Sequence, residues 1–556
     1  MVKSQDDCYE VLNGEWKKTC KILFGREVGE LGKYGKWLEK DKQPKLKRTG
    51  ADGKEIVFPS TDYEDCQNIA SESGGLVGFV SSSAISPLNI NEIKDIDSII
   101  SAIRERMVYS GNTIFGNSGF IESSAAVSNS FYILESARVN DSKYIAYSTV
   151  VKSSSNLFGC NVSSFASHAI RCHQQGKGSR NFEVCLCWNS SDCYYSYDII
   201  GCSDCIFSFN LKGKTNCIGN LELDREKYTK LKKQLLEQIA DCLEQGKEAL
   251  GLIDIVNKTG NKKISVRKLA YSTVHPLQKT EDIIPIKKSF VSTYSVVFGK
   301  PPMSCLEDYA PWLKQRVIGI NETESALDSG KISIPGYENF KAMRKDRFVS
   351  IDEAARMGEM LKLNEEEVNH INLENASEIL GQIVVLAAGD QDGHVINVIG
   401  SPIAISSINC LSVLGCVNLK NSAYSVWPNG SNNVFGSSFL FNSEFCIKCH
   451  QSFLLSRCFE VDSSSSCSDL YFSHNCENVH NSMFCFNTKN LHNAIGNQQF
   501  QPDQYKSIKS TILEQLHSEL ESKKHLKIDI FSLRPLYSGG SDKYFKKGIK
   551  DVEKWK

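Results

Sequence analysis

The chain has 556 residues and a formal net charge of -1, with 64 Lys and Arg against 65 Asp and Glu, so no global field draws it to nucleic acid or to an anionic membrane. Met1 to Glu15 is polar and no apolar run reaches the roughly 18 residues of a membrane span, so the sequence reads as lacking a signal peptide and a transmembrane segment. The expected setting is cytoplasmic or virion-associated.

From the amino terminus, residues 1–110 read as a mixed α/β module. Cys20 to Gly25 is predicted as a strand or short apolar anchor, Glu30 to Lys40 as a helix, and Lys42 to Lys54 as a basic loop. Ile93, Ile96, Ile99, Ile100 and Ile103 give Glu92 to Met107 a helical period. Over residues 111–223 charges thin out, and Ser, Asn, Gly, Cys and aromatic residues dominate. Ser191-Asp192-Cys193 recurs as Ser203-Asp204-Cys205 and Thr215-Asn216-Cys217, and 203 minus 191 and 215 minus 203 both give 12. Cys205, Phe207 and Phe209 show the period of 2 of a strand, and the polar residues before each strand suit turns. The pattern predicts a right-handed parallel β-helix. A 12-residue coil looks too narrow for inward pairs of Phe or Tyr, so each 12-residue unit is assigned to half a coil.

Residues 224–285 open with a helix capped by Asp224, with Tyr228, Leu231, Leu235, Leu236, Ile239 and Leu243 on its apolar face. Such a helix is expected to cap the open end of the solenoid. Gly251 to Ile284 reads as strand-like pieces joining two halves.

The second half repeats the first. Asn156-Leu157-Phe158-Gly159 returns as Asn433-Val434-Phe435-Gly436, and 433 minus 156 is 277, close to half the chain. Cys172-His173-Gln174 maps at this offset to Cys449-His450-Gln451, Phe209-Asn210 to Phe486-Asn487, and Ile218-Gly219-Asn220 to Ile495-Gly496-Asn497. A repeat of this length predicts a tandem duplication. The second copy comprises a mixed α/β module (286–395), a second β-helix (396–502), and a capping helix after Asp503 with a Lys-rich tail (503–556). Its module carries helices at Ser350 to Leu361, with Ser350 as N-cap and Glu353 three residues on, and at Asn375 to Ala388. The overall class is α+β: in each half a mixed module, a parallel β-helix and a capping amphipathic helix.

The 21 cysteines would form disulfides in a small exported protein. Here only Cys172 and Cys449 match among those of the coils, whereas Cys193, Cys202, Cys205 and Cys217 face Leu470, Val479, Ser482 and Ala494. Small apolar positions tolerate such exchange and cross-links do not, so most cysteines read as reduced core filler.

The matched set His173, Arg180, Glu183 and His450, Arg457, Glu460 supplies candidate acids, bases and anion holders. A structural alternative pairs Arg180 with Glu183 across adjacent coils and lets His173 close a turn. Metal ligation has two starting points, Cys202 with Cys205 and Cys446 with Cys449 and His450, and neither has a matched second pair. Asp192, Asp198 and Asp204 in one half, and Glu460, Asp462 and Asp469 in the other, give no duplicated carboxylate cluster for glycan cleavage. No cofactor motif is present.

The run from Asn156-x-Phe158-Gly159 through the Ser-Asp-Cys repeats to Cys217-Ile218-Gly219-Asn220, followed by the helix bearing Tyr228, resembles an uncharacterised family of ultrasmall bacteria and phages. Its Cys-, Asn- and Tyr-rich coils end in an FGCVGL-type motif before a helix. Leu211-Lys212, Lys214, Cys217-Ile218 and Asn220 are kept here. The resemblance covers about 100 residues in each half, implies the solenoid fold, and implies no activity. The expected role is a non-catalytic structural or assembly protein presenting rigid β-helix surfaces to protein partners or to itself, as in a virion or shell. The alternative is a carbohydrate-binding or carbohydrate-cleaving β-helix. Nucleic acid would be reached only through Lys42 to Arg48 or Lys546 to Lys556.

Overall fold

In the first solenoid each short strand pairs in parallel with the strands one sequence repeat before and after it. Lys143 faces Phe131 and Ser155, and Thr149 faces Ala137 and Asn161. One coil is therefore a single 12-residue repeat holding two strands, which corrects the assignment of that repeat to half a coil. The computed structural model describes residues 6–50, 53–66, 68–71, 88–89, 93, 95–246, 248–260, 281–438, 447–448, 459–462 and 468–533.

Such a tight coil is possible because every third residue is left-handed. Tyr132, Glu135, Arg138 and Asp141 have φ of 59°, 48°, 57° and 48° within one coil. The residue after each points inward, so the inward period is 3 and not the expected 2. Val127, Val139 and Val151 form one inner column, and Ile133, Ile145 and Leu157 a second. Ser124, Ser136 and Ser148 form another: Ser136 N donates to Ser124 Oγ at 2.9 Å, and Ser124 Oγ donates to Glu122 O at 2.7 Å. Cys205 lies inside with Val184, Cys187 and Leu211. Phe207 is itself left-handed and stacks on Tyr195 at 5.4 Å outside the coil, within the larger core that includes Phe209. The narrow interior holds small side chains, and the aromatic residues stand outside against helices.

A left-handed conformation costs an ordinary L-residue about 1–2 kcal/mol, and Asn, Asp and Gly accept it most readily. This accounts for much of the Asn and Asp in the coils. In the second solenoid the left-handed asparagines also bond to one another: Asn397 Nδ2 donates to Asn409 Oδ1, and Asn409 Nδ2 to Asn421 Oδ1, each at 2.8 Å.

The Asn-x-Phe-Gly motif docks a helix onto each solenoid. Trp16, on the helix Asp6–Phe24, meets Phe158 edge to face at 5.3 Å, and Asn156 Nδ2 donates to the Glu15 carboxylate at 2.7 Å. Gly159 has φ of +70°, and a Cβ there would stand 2.8 Å from Leu38 O. In the second half Phe290, on the helix Ile284–Phe298, meets Phe435 at 5.3 Å. Ser289 Oγ donates to Asn433 Oδ1 at 2.6 Å, and a Cβ on Gly436, at φ +71°, would stand 2.7 Å from Leu313 O.

Several local expectations change. Cys20 to Phe24 ends the Asp6–Phe24 helix and forms no strand. Glu30 to Lys40 is helical over Leu31–Leu38 only, as a 3-10 helix Leu31–Tyr34 followed directly by a short α-helix Gly35–Leu38. Within the basic stretch, Leu46–Thr49 is a strand antiparallel to Glu55–Phe58. The isoleucine-rich segment is helical over Ile96–Ala102. Leu252–Lys258 is a helix where strand was expected, and residues 261–280 lie outside the described residues. Asn375 to Ala388 is helical only as far as Gln382, after which Leu386–Ala387 pairs with Phe348–Val349. Ser350 caps its helix through Glu353 N, as read from the sequence. Asp224 Oδ1 likewise accepts from Lys227 N at 2.9 Å. The predicted face of the Arg225–Gly246 helix is buried at Tyr228, Leu235, Ile239 and Leu243.

The modules cross over. Cys8 to Leu38 pack on the first solenoid, but the described residues between Ile56 and Tyr109 share a core with the second solenoid, and Ile334 to Ala388 share one with the first. The last coil of the first solenoid is closed by the other half: Leu363 N donates to Gly219 O at 2.9 Å, and Asn220 Nδ2 to Leu361 O at 2.9 Å. At the end of the second solenoid Leu88 N donates to Gln498 Oε1 at 2.6 Å, and Arg106 donates to Gly496 O. The solenoids also touch directly, with Trp188 stacked on Trp427 at 6.2 Å.

Candidate functional site

Helices and the other half cover most of the first solenoid. Its Phe158, Ile170, Phe182, Tyr194 and Ile206 column lies under the Asp6–Phe24 and Arg225–Gly246 helices. Tyr197 and Asn210 are bonded to the second half. The open face carries one hydroxyl per coil in register: Ser155, Ser167, Ser179, Ser191, Ser203 and Thr215. Coils joined by parallel pairing stand about 4.8 Å apart, so the hydroxyls form a straight ladder. They are half-buried as far as Ser203, and Thr215 is exposed. Ser203 and Thr215 share a hydrogen bond through their hydroxyls.

Beside the ladder runs a column of left-handed corners, Asn129, Asp141, Ser153, Phe165, Lys177 and Asn189. A corner side chain projects from the coil, and Phe165 is 53 % exposed there. Phe131, Lys143, Phe165 and the ladder serines at 155 and 167 line a shallow groove of about 740 Å³. On the neighbouring strand column Phe120, Tyr132 and Tyr144 stack at 4.6 and 5.4 Å, and Lys143 lies 4.5 Å from the Tyr144 ring centre.

The residues singled out in the sequence are not brought together. His173 is buried and neither ring nitrogen has a hydrogen-bond partner. Burial and the nearby charges of Arg171 and Lys42 push its pKa down to about 3, so it is neutral. Arg180 makes a two-bonded pair with Asp192, Nε at 2.8 Å and Nη2 at 2.6 Å. Glu183 instead bonds Arg171 and accepts from Leu252 N at 2.8 Å. Parallel pairing aligns a residue with its equivalent on the next coil, so Arg180 meets Asp192 and Arg171 meets Glu183. Arg180 and Glu183 stand in different columns.

Glu460 is buried and lies 3.4 Å from Lys448, and burial pushes its pKa up to about 7. His450, Arg457, Cys446 and Cys449 lie outside the described residues. Cys202 and Cys205 are buried thiols, Cys205 in register between Cys193 and Cys217. Among the described residues the cysteines are free, and no group of three or more His, Cys, Asp or Glu is placed to hold a metal. Asp204 pairs with Lys232 at 2.7 Å. Of the basic run, Lys42 donates to Tyr147 O, and Lys45 and Lys47 pair with Glu135. Lys546 to Lys556 lies outside the described residues.

Sequence reasoning passed over Arg171 and Lys448, the cations that hold the two matched glutamates. The signal was present, because each directly precedes its Cys-His pair and 448 minus 171 is again 277. It also missed Asp390, a buried carboxylate at the seam between the halves, where it joins Asp198, weighed in the sequence only among scattered carboxylates. A third omission is His474, whose Nδ1 bonds Asp462 Oδ2 at 2.6 Å while Nε2 accepts from Ser110 N at 2.8 Å. Those bonds put the proton on Nδ1 and occupy Nε2, so this buried dyad serves as a joint between the halves. No protein-family model matches the chain, and no curated protein and no solved structure does either.

Proposed function

We propose that the chain is a non-catalytic assembly scaffold, a tandem duplicate whose second solenoid self-associates through its first coil. One observation carries this reading. Among the described residues, the strands Asp390–Asp392 and Ile396–Ile399 each end their sheet, paired on one side only. An edge strand is a template for another strand. Ile396 on this coil is 45 % exposed and Ile284 is 58 % exposed, and Asp282 N bonds Asn397 Oδ1 at 3.0 Å, which brings the start of that helix to the coil. A second copy offers the same edge and the same apolar side chains, so a two-fold contact is self-complementary. A shell or virion is a setting such a scaffold suits.

The non-catalytic part of the reading is supported by how the matched ionisable groups are used: His173 is neutral and enclosed, Arg171 and Glu183 satisfy each other, and Lys448 holds Glu460. The test is native mass by light scattering across a concentration series, for the parent chain and for Ile396→Lys. Association that grows with concentration and is lost in the variant is expected. A parent chain that stays monomeric at every concentration overturns the proposal.

A further inference from the structure

We propose a second, independent site: the open flank of the first solenoid binds an extended, uncharged glycan laid along the solenoid axis over the ladder from Ser155 to Thr215. Three features of the flank point to that ligand and away from others.

The first is hydrogen-bonding chemistry. A Ser or Thr hydroxyl both donates and accepts, and so does a sugar hydroxyl, so the two match in either sense. The six ladder positions are in unbroken register and span roughly 24 Å at about 4.8 Å per coil. A compact ligand would use only part of this row, whereas a linear polymer meets a similar donor and acceptor at every coil.

The second is the ring. Phe165 projects from a left-handed corner at the end of the groove, beside the ladder hydroxyls of Ser155 and Ser167, where it offers a flat apolar face to the C–H face of a sugar. A protein interface of useful strength needs an apolar core from which water is excluded. Phe165 and the half-buried Phe131, set among serines and asparagines, do not supply one.

The third is charge. Asp141 and Lys143 are both exposed in the groove, Arg180 is matched by Asp192 on the next coil, and Lys177 is exposed on the corner column, so these five groups carry a net charge of only +1. So small a net charge of mixed sign gives a polyanion or polycation little attraction, and the polymer that gains most is neutral. Mixed charge also argues against nucleic acid on this face.

The site shares no residue with the edge proposed for assembly, so the test uses full-length protein carrying Ile396→Lys, and its result does not depend on self-association. The probes are hydroxyethyl cellulose and dextran as neutral polymers and polygalacturonate as a charged one, followed by retardation in native affinity gels. Retardation by a neutral polymer is expected, at least fivefold weaker in Phe165→Ala and in Thr215→Val. Both positions are exposed, and unchanged thermal melts show that the variants fold. No retardation by either neutral polymer, retention by polygalacturonate alone, or variants that bind like the parent overturns the proposal.

Discussion

Asn210 Nδ2 donates to Val385 O at 2.9 Å, and its match in the second half, Asn487 Nδ2, donates to Val108 O at 2.7 Å. Each solenoid thus takes hold of the module from the other half through the same amide. The neighbouring contacts follow the same rule: Tyr197 OH donates to Ala387 O at 2.7 Å, and His474 Nε2 accepts from Ser110 N at 2.8 Å. The halves are interlocked, and the bonds that close one solenoid come from the opposite end of the chain.

Removing one such amide leaves a buried carbonyl unsatisfied, which costs about 1–3 kcal/mol. Asn487→Ala also puts alanine into a left-handed position with φ of 49°, adding about 1–2 kcal/mol. The expected outcome in urea unfolding is a clear fall in midpoint for Asn487→Ala, and a similar fall for Asn210→Ala. Two variants that unfold with the parent would show that the seam does not bear on stability.

Gly159→Ala and Gly201→Ala separate conformational strain from collision. Both glycines have positive φ, at +70° and +63°, but a Cβ at Gly159 would meet Leu38 O at 2.8 Å, and one at Gly201 meets nothing within 4 Å. Gly201→Ala is expected to cost only the left-handed penalty of about 1–2 kcal/mol. Gly159→Ala is expected to cost distinctly more, because the first helix and its following turns must shift. Equal melting temperatures for the two variants would refute the proposed role of the motif.

Arg171 and Glu183 are each 1 % exposed, so breaking the pair strands a charge. Arg171→Met is expected to destabilise by about 3–5 kcal/mol, whereas Arg171→Met with Glu183→Leu should recover most of the loss. The double-mutant cycle is read by denaturant unfolding at neutral pH. A double variant no better than the single one would mean that the pair supplies more than mutual compensation.

The seam also sets a pH dependence. Burial pushes Asp390 up to about 7, with repulsion from Asp392 adding to it, and burial raises Asp198 well above its usual range, with repulsion from Asp390 adding there. A carboxyl whose folded pKa is raised favours the fold while protonated, so its contribution is full below about 4 and is lost as pH rises through about 7. Glu460, also pushed up to about 7, acts in the same sense. His173, pushed down to about 3, acts in the opposite sense between about 3 and 6.5. Lys42, lowered to about 7 by burial, favours the fold more as pH rises above that value. Lys212 is the nearby cation that partly offsets both aspartates. The difference between Asp390→Asn and the parent isolates one group: the advantage of the variant should grow from pH 4 to pH 8 in equilibrium unfolding. An advantage independent of pH would exclude titration of Asp390 as its source.

Repetition and solenoid character were legible because they depend on side-chain identity at fixed spacing, as in Ser191, Ser203 and Thr215. Coil size was not. It turns on backbone conformation at every third position, and residues such as Val150, Val162 and Leu186 occupy left-handed sites that their side chains do not announce. Placing Tyr195 and Phe207 inside made a 12-residue coil look impossible, whereas outside the coil they stack on each other without difficulty. The crossover was hidden for a different reason: an offset of 277 reads the same whether Asn210 meets Val108 or Val385. The hydroxyl ladder was visible as serines one repeat apart, but which face stays open depends on where the helices and the other half pack.

The most direct test of the interlocked arrangement is the native mass of a nicked chain. A protease site placed between residues 261 and 280, in the Ile396→Lys background, would be cut after folding and the product weighed by analytical ultracentrifugation. The reciprocal bonds of Asn210 and Asn487 predict a nicked protein with the sedimentation mass of the intact chain, separating only when denaturant unfolds it. Two independently sedimenting halves of roughly equal mass under native conditions would contradict the exchange of modules.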